Sequence, residues 1–213
     1  MVFNDIEGQN IKNLVRNSKF YQGSNASKMS FERNVNEFRI VHLAGHAKSD
    51  LNLDESSYIV FSGDEKQHNI LYNDEIYGLN LENELVVLSG CETAIGNYTN
   101  GTGVRSLANS FTIAGAKSTI STLWPTNDEF TMHFMTEFYG YLMDGESRAN
   151  ALRLSKLVFL DHPIYRSPFY WSSFILQGEK GKIEINSAEK SWFILIISIL
   201  LATFFVLIYR KNI

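Results

Sequence analysis

Two kinds of hydrophobic pattern alternate along the first 178 residues of the chain. Short runs rich in β-branched and other apolar residues indicate strands, and they lie at 39–43 (RIVHL), 85–88 (LVVL), 118–122 (STIST) and 172–177 (SSFILQ). Stretches with helical spacing lie between them. Strands that alternate with helices are typical of a largely parallel sheet that is covered on both sides. The pattern therefore predicts an α/β/α sandwich.

The helical stretches combine an apolar stripe with start or stop signals. Phe31, Val35 and Phe38 are spaced i, i+4 and i+7, as on one face of a helix. The other predicted helices are a modest one around 6–15, one over 104–111 that ends before Gly115, one that is capped by Asn127 or Asp128 and ends at Gly145, and one from Ser147 to about 160.

The pattern changes at 192–209 (WFILIISILLATFFVLIY), where 18 consecutive residues carry no charge. A helix of this length, at about 1.5 Å per residue, nearly crosses the ~30 Å hydrocarbon core of a bilayer. Trp192 and Tyr209 stand at the two ends, where interfacial aromatic side chains are common. We therefore expect a single-pass C-terminal anchor in a lipid bilayer. Lysine and arginine are almost equally frequent on the two flanks, so either side of the membrane fits the pattern.

Composition and charge narrow the classes of function. The chain has 213 residues, of which 45% are hydrophobic and 20% charged, which suits one folded domain with an appendage. Its net charge of -4 gives no general attraction to a phosphate backbone, so we expect no nucleic-acid partner. The single cysteine, Cys91, excludes an internal disulfide and a multi-cysteine zinc site. No metal site is predicted from the spacing of His68, His133 and His162.

Two candidate reactive side chains come shortly after predicted strands. His46 follows the strand at 39–43, and Cys91 follows the strand at 85–88. In open α/β sheets ligands bind beyond the carboxyl ends of the strands, so the two side chains face one crevice if the strands are neighbours. An imidazole can take the proton of a thiol and pass it to a leaving amine, as in a cysteine protease. A buried core cysteine and a loop histidine fit these two residues as well.

Longer strings surround both residues and continue through the predicted sheet. They are VHLAGHAKSD at 41–50, LVVLSGCETAIG at 85–96 and GTGVRSLANSFTIAGAKSTISTLWPTND at 101–128, followed by FYGYLMDGESRANALRLSK and by SPFYWSSFILQGE, which ends at Glu179. In order and spacing these strings resemble CHAT domains, which are caspase-like domains of the separase, caspase and gingipain group. The resemblance covers residues 27–179. It implies a caspase-like three-layer α/β/α sandwich with a mainly parallel sheet.

The resemblance also implies a cysteine endopeptidase that acts on a protein or peptide substrate. The second histidine of the HxxxH string is the family's base and corresponds to His46, and the cysteine after LS[AG] is its nucleophile and corresponds to Cys91. His42, four residues before His46, is then a structural residue within the strand. We expect the backbone N–H groups of Ala47 and Cys91 to stabilise the oxyanion, with no cofactor required.

Three further residues are weaker candidates for substrate binding. Glu92 follows the nucleophile and could hold a substrate, although a loop carboxylate is more often solvated. Related domains place the loop after Trp124 beside the substrate crevice, where Asp128 could accept a basic P1 side chain. A helix N-cap explains Asp128 equally well. Trp124 could form a wall of the pocket, although a buried aromatic residue is the commoner role.

The sequence therefore predicts a membrane-tethered CHAT-type cysteine endopeptidase. Its segments are a helical or polar lead-in at 1–26, the CHAT domain at 27–179, a polar linker at 180–191, a transmembrane helix at 192–209 and a basic tail at 210–213. Family members usually carry helical repeats upstream, which implies a helical-repeat partner, either upstream or separate. The alternatives are a catalytically idle CHAT scaffold that docks proteins at the membrane, and a flavodoxin-like nucleotide binder, for which only the layered α/β pattern argues.

Overall fold

The computed structural model of the chain describes residues 2–48, 57–63, 69–89, 97–99 and 103–184. The chain divides into two compact units, Met1–Lys182 and Ile183–Ile213, and the fold below is that of the first. Within the described ranges, no helix combines the length and the apolar character that a membrane span requires. The predicted span at 192–209 lies outside the described residues, so it stays a prediction, as does the division of the chain into five segments.

The described α-helices are interspersed with strands along the chain. They are α1 (Val2–Leu14), α2 (Lys28–Asn34), α3 (Asn73–Tyr77), α4 (Leu107–Ile113), α5 (Asp128–Met143), α6 (Arg148–Val158) and α7 (Pro168–Trp171). Short 3-10 helices lie at Gly23–Asn25 and Val35–Glu37. The strands are β1 (Ile40–Leu43), β2 (His46–Lys48), β3 (Tyr58–Val60), β4 (Ile70–Tyr72), β5 (Leu85–Leu88), β6 (Asn97–Thr99), β7 (Gly103–Arg105), β8 (Ser118–Thr122) and β9 (Phe174–Gly178).

Four of these strands form the main sheet in the order β1-β5-β8-β9. β1, β5 and β8 are parallel, and β9 is antiparallel to β8. The sequence-based bounds of β5 and β8 are confirmed, and those of β1 and β9 are confirmed to within two residues. Every residue of β5 and β8 is buried, as expected for strands in the middle of a sheet. The prediction of a mainly parallel sheet is therefore confirmed.

Helices flank this sheet. On one face, Val86 and Leu88 of β5 pack with Phe111 of α4 in a buried apolar cluster. On the other face, Phe134 of α5 stacks on Phe174 of β9, with ring centroids 4.3 Å apart and the ring planes 9° from parallel. Successive side chains of a strand point to opposite faces, so each strand of the sheet contributes to both layers of core.

Helix caps account for the predicted helix boundaries. The side chains of Ser106, Asn127 and Ser147 each accept a hydrogen bond from the backbone N–H three residues on, at the starts of α4, α5 and α6. The expected helix over 104–111 is wrong at its start, because Val104 lies in β7 and the helix begins after the Ser106 cap. Gly115, with φ of +118°, follows α4 as predicted.

Two small antiparallel sheets were absent from the sequence prediction. One has the order β2-β3-β4, and the other is the pair β6-β7. Each of these strands is three residues long, which is too short for a period of two to stand out from its surroundings. The first small sheet contains His46 and Ala47, two of the residues that the sequence analysis predicted for the site.

Candidate functional site

The carboxyl ends of the parallel strands meet at one edge of the main sheet. The β1–β5 ladder runs in register up to the pair Leu43 and Leu88. The backbone N–H of Ser89 then donates to the carbonyl oxygen of Leu43 at 3.1 Å, which extends the pairing by one residue. The chain therefore leaves β1 and β5 side by side at this edge, where ligand sites of α/β sheets occur.

His46 lies just beyond this edge. It is the first residue of β2, it is exposed to solvent, and it pairs with Val60 of β3. The sequence analysis placed His46 after the strand at 39–43, with a loop histidine as the alternative, and the structure places it in a short strand whose neighbour holds its backbone. The histidine is thus accessible to a substrate and fixed at its backbone.

Ala47 is half-buried in β2 and packs against the apolar cluster on the α4 side of the sheet. Asn17 is the single non-glycine residue with a positive φ in the described part of the chain, so Ala47 has an ordinary backbone conformation. A Cβ at this position therefore causes no backbone strain.

Trp124 and Asp128 lie past the end of β8, which is the strand beside β5. The indole N–H of Trp124 donates to the carbonyl oxygen of Phe169 at 2.8 Å, and the two rings stack with centroids 6.1 Å apart. Asp128 is exposed at the first position of α5, and the cap is Asn127, whose side chain accepts from the N–H of Phe130 at 3.0 Å. The capping role is therefore filled without the carboxylate of Asp128.

Cys91 and Glu92 lie outside the described residues. The nucleophile, the backbone N–H proposed for the oxyanion and the neighbouring carboxylate therefore stay predictions from the sequence. The last described residue before them is Ser89, which is buried and held at the end of β5.

A buried polar network that the sequence analysis missed adjoins Ser89. The Nε2 atom of His42 lies 2.8 Å from Oε1 of Glu7 and 3.2 Å from Oγ of Ser89. Its Nδ1 atom lies 3.2 Å from the hydroxyl oxygen of Tyr139. Glu7 is 1% exposed, so α1 brings a carboxylate into the interior beside the strand. The prediction that His42 lies within a strand is confirmed, and its polar partners come from α1, from α5 and from the residue that follows β5.

The burial of Tyr139 and the negative charge of Glu7 determine where the hydrogen atoms of this network lie. Burial, and secondarily the negative charge of Glu7, raise the pKa of Tyr139, so its hydroxyl keeps its proton. The Tyr139 O–H can then donate to Nδ1 of His42, while the Nε2–H donates to the carboxylate of Glu7. The one sequence signal for this network is a histidine in an otherwise apolar strand, IVHL.

Side chains that could bind a metal are dispersed in the described part of the chain, where no group of three His, Cys, Asp or Glu comes together.

Comparison with known proteins gives a family and two relatives. The family model described as the CHAT domain matches residues 4–179. Tetratricopeptide repeat protein 28 of Mus musculus is 29% identical over 114 residues, which are 54% of this chain and 5% of that protein. Tetratricopeptide repeat protein 28 of Homo sapiens is 28% identical over 122 residues, which are 57% of this chain and 5% of that protein. The chain thus spans a small part of the length of the curated relatives that it matches.

Proposed function

Because this chain belongs to the CHAT domain family, a caspase-like cysteine peptidase family, we propose that it is a membrane-tethered cysteine endopeptidase with Cys91 as nucleophile and His46 as base. In this proposal the four-stranded sheet is the central layer of a caspase-like three-layer sandwich. The substrate is a peptide bond within a protein or peptide. The segment at 192–209 inserts into a lipid bilayer and tethers the domain.

The register of β1 against β5 is the observation that supports this proposal most strongly. Leu43 pairs with Leu88 at the carboxyl edge of the sheet. Along the sequence, His46 and Cys91 each follow these paired residues by three positions. The two segments of the chain leave adjacent parallel strands in register. Because the base and the nucleophile stand at the same offset after these strands, the arrangement suits a dyad built across the edge of the sheet.

The proposed reaction has two half-reactions. The Sγ–H proton of Cys91 passes to His46, Sγ bonds to the scissile carbonyl carbon, and the backbone N–H groups of Ala47 and Cys91 stabilise the oxyanion. The C–N bond then breaks and His46 gives its proton to the leaving amine. In the second half, water attacks the thioester, His46 takes its proton, the C–S bond breaks, and the proton returns to Cys91 as the acid product leaves. These steps involve no cofactor.

The substrate pocket in this proposal lies beyond the ends of β5 and β8. Trp124, fixed by its stacking and hydrogen bond to Phe169, forms one wall. Asp128 is exposed and is not needed as the helix cap, so its carboxylate is available for a basic P1 side chain. Glu92, next to the nucleophile in sequence, is the second acidic candidate.

A helical-repeat partner is part of the proposal. Both curated relatives are named as tetratricopeptide repeat proteins, and such repeats are pairs of helices that stack into an extended binding surface. We propose that a segment of this kind, in a longer chain or in a separate protein, presents the substrate or activates the domain.

An electrophilic probe that forms a covalent bond with thiolates tests the peptidase proposal. Since Cys91 is the one cysteine of the chain, all labelling reports on it. We expect labelling of the wild type, none of Cys91→Ala, and much slower labelling of His46→Ala. His133→Ala, which removes an exposed histidine from α5, is the matched control and should react like the wild type. Labelling of His46→Ala at the wild-type rate would favour the idle scaffold.

A further inference from the structure

A chain of buried polar contacts joins the first helix to the edge of the sheet that carries the proposed dyad. Glu7 of α1 contacts His42 of β1, and His42 contacts both Ser89 at the end of β5 and Tyr139 of α5. The side chains of Glu7 and His42 are 2% and 11% exposed. Buried polar groups are costly unless they are fully hydrogen-bonded, so such a network orients its members strongly.

The imidazole ring of His42 is fixed on three sides. A carboxylate can only accept hydrogen bonds, so the Nε2–H points at Glu7 Oε1, 2.8 Å away. The same N–H is shared with Oγ of Ser89 at 3.2 Å. The hydroxyl of Tyr139 reaches Nδ1 from the other side at 3.2 Å, and its ring meets the imidazole edge-on, with centroids 5.6 Å apart. With both nitrogens engaged, rotation of the ring would break at least two hydrogen bonds.

Ser89 stands two residues before the proposed nucleophile and is held through both its backbone and its side chain. Its backbone N–H is bonded to the carbonyl of Leu43, and its side chain contacts Nε2 of His42. Gly90 is the only residue between Ser89 and Cys91, and glycine by itself restricts the backbone little. Ser89 is therefore the described residue that lies nearest to Cys91 on the β5 side of the sequence.

We propose that His42 is a positioning residue, which Glu7 and Tyr139 orient so that it fixes Ser89 and thereby aims Cys91 toward His46. This inference rests on the proposed function, since it takes Cys91 as the nucleophile. Reaction rates depend steeply on the placement of the reacting atoms, and a shift of about 1 Å can cost about 10²-fold in rate. A residue that touches neither substrate nor nucleophile can act in this way through its neighbours.

The alkylation rate of Cys91 by iodoacetamide, measured on the folded full chain in mild detergent between pH 6 and 9, tests the proposal. Ser89→Ala removes the hydroxyl that contacts His42 at 3.2 Å and that also reaches the carbonyl oxygen of Leu43 at 3.5 Å, while the backbone hydrogen bond from Ser89 to Leu43 stays. We expect it to lower the rate constant roughly threefold to tenfold, which corresponds to one neutral hydrogen bond. Ser155→Ala is the matched control, because Ser155 is likewise a buried serine whose hydroxyl donates to a carbonyl oxygen, that of Ala151, but it lies on α6. It should react like the wild type.

A second pair of variants separates positioning from packing. Glu7→Leu removes the acceptor for the Nε2–H of His42, and we expect it to slow alkylation as Ser89→Ala does. Glu7→Gln keeps an oxygen acceptor of the same reach and should restore most of the lost rate. Circular dichroism melting of each variant shows whether it is folded at the assay temperature. If Glu7→Leu is unfolded there, Ser89→Ala decides the question alone.

The outcomes distinguish this inference from the proposed function. Slower alkylation of both His46→Ala and Ser89→Ala supports both. If His46→Ala slows alkylation but Ser89→Ala and Glu7→Leu react like the wild type, the positioning role is refuted and the peptidase proposal stands. If His46→Ala has no effect, the dyad is refuted, and the positioning role falls with it.

Discussion

Replacement of Arg148 by methionine should destabilise the domain at the end of the sheet opposite to the proposed site. The Arg148 side chain is 1% exposed. Its Nη1 donates to the carbonyl oxygen of Glu84 at 2.7 Å and to Oγ of Ser118 at 2.9 Å, and its Nε donates to the carbonyl oxygen of Gly181 at 3.0 Å. Its Nη2 lies 3.2 Å from a carboxylate oxygen of Glu179. One side chain thus joins α6 to β8 and to the segments before β5 and after β9.

The expected loss in the free energy of unfolding depends on whether water can replace Arg148 as the partner of each group. The Glu179 carboxylate is 59% exposed, and an exposed ion pair of this kind contributes between about 0 and 1 kcal/mol. The three hydrogen bonds to the two carbonyls and to Ser118 have a charged donor, and such bonds are worth about 1.5–3 kcal/mol each. Methionine retains part of the buried stem and avoids burying a charge, which offsets part of that sum. We expect a net loss of about 3 kcal/mol in the free energy of unfolding.

Urea unfolding of the full chain in mild detergent, followed by circular dichroism, measures this loss. A decrease of about 3 kcal/mol also corresponds to a melting temperature lower by about 6–12 °C for a domain of this size. Arg153→Met is the matched control on the same helix, because Arg153 is exposed and its Nε donates to the nearby side chain of Asn150 at 3.0 Å. If Arg148→Met and Arg153→Met are equally stable, Arg148 does not link these segments and the reasoning is refuted.

Three further predictions concern charge, backbone conformation and the membrane. The hydrogen bond from Lys117 lowers the pKa of Glu84 in the folded state. The ionised carboxylate therefore stabilises the fold above the pKa of Glu84 in the unfolded chain, about 4.3, and this stabilisation is lost as the pH falls through the lower pKa of the folded state. In urea unfolding, Glu84→Gln should therefore lower the free energy of unfolding more at pH 7 than at pH 2.5. An equal decrease at both pH values would contradict the lowered pKa of Glu84. Gly115→Ala should lower the melting temperature, because φ is +118° and the new Cβ would meet a backbone carbonyl. Gly140→Ala should raise the melting temperature and add about 0.5–1 kcal/mol to the free energy of unfolding, because a Cβ at this position of α5 meets open space. Deletion of 192–209 should leave a domain that stays soluble without detergent, as size-exclusion chromatography would show. Aggregation of that variant would mean that the segment packs against the domain.

Local sequence patterns predicted the central part of the fold. β5 is apolar at all four positions and β8 follows the turn at Gly115, so their limits could be predicted without any long-range information. The starts of α5 and α6 could be predicted for the same reason, since a capping side chain and the backbone N–H that donates to it lie within one turn of the chain. Where two signals competed, as at Val104, the Ser106 cap determined the start of the helix and the preceding residues formed a strand.

The polar network could not be predicted in this way. Its members, Glu7, His42, Ser89 and Tyr139, are far apart in sequence, and nothing in the local pattern links a glutamate on a weakly amphipathic helix to a histidine in a strand. The sequence indicated only that His42 is structural. The contact with Ser89, two residues before Cys91, emerges from the parallel pairing of β1 with β5, which no periodicity specifies.

Cleavage of a peptide library by the full chain tests the central claim most directly, with new amino termini identified by mass spectrometry and melting temperatures measured in parallel. We predict that the wild type cleaves, and that Cys91→Ser and His46→Ala each lose at least about 10²-fold in rate while their melting temperatures stay close to that of the wild type. A thiolate attacks well near neutral pH, whereas the serine hydroxyl remains protonated and attacks poorly. Cleavage that persists in Cys91→Ser, or a loss of cleavage that merely follows a large fall in melting temperature, would contradict the account.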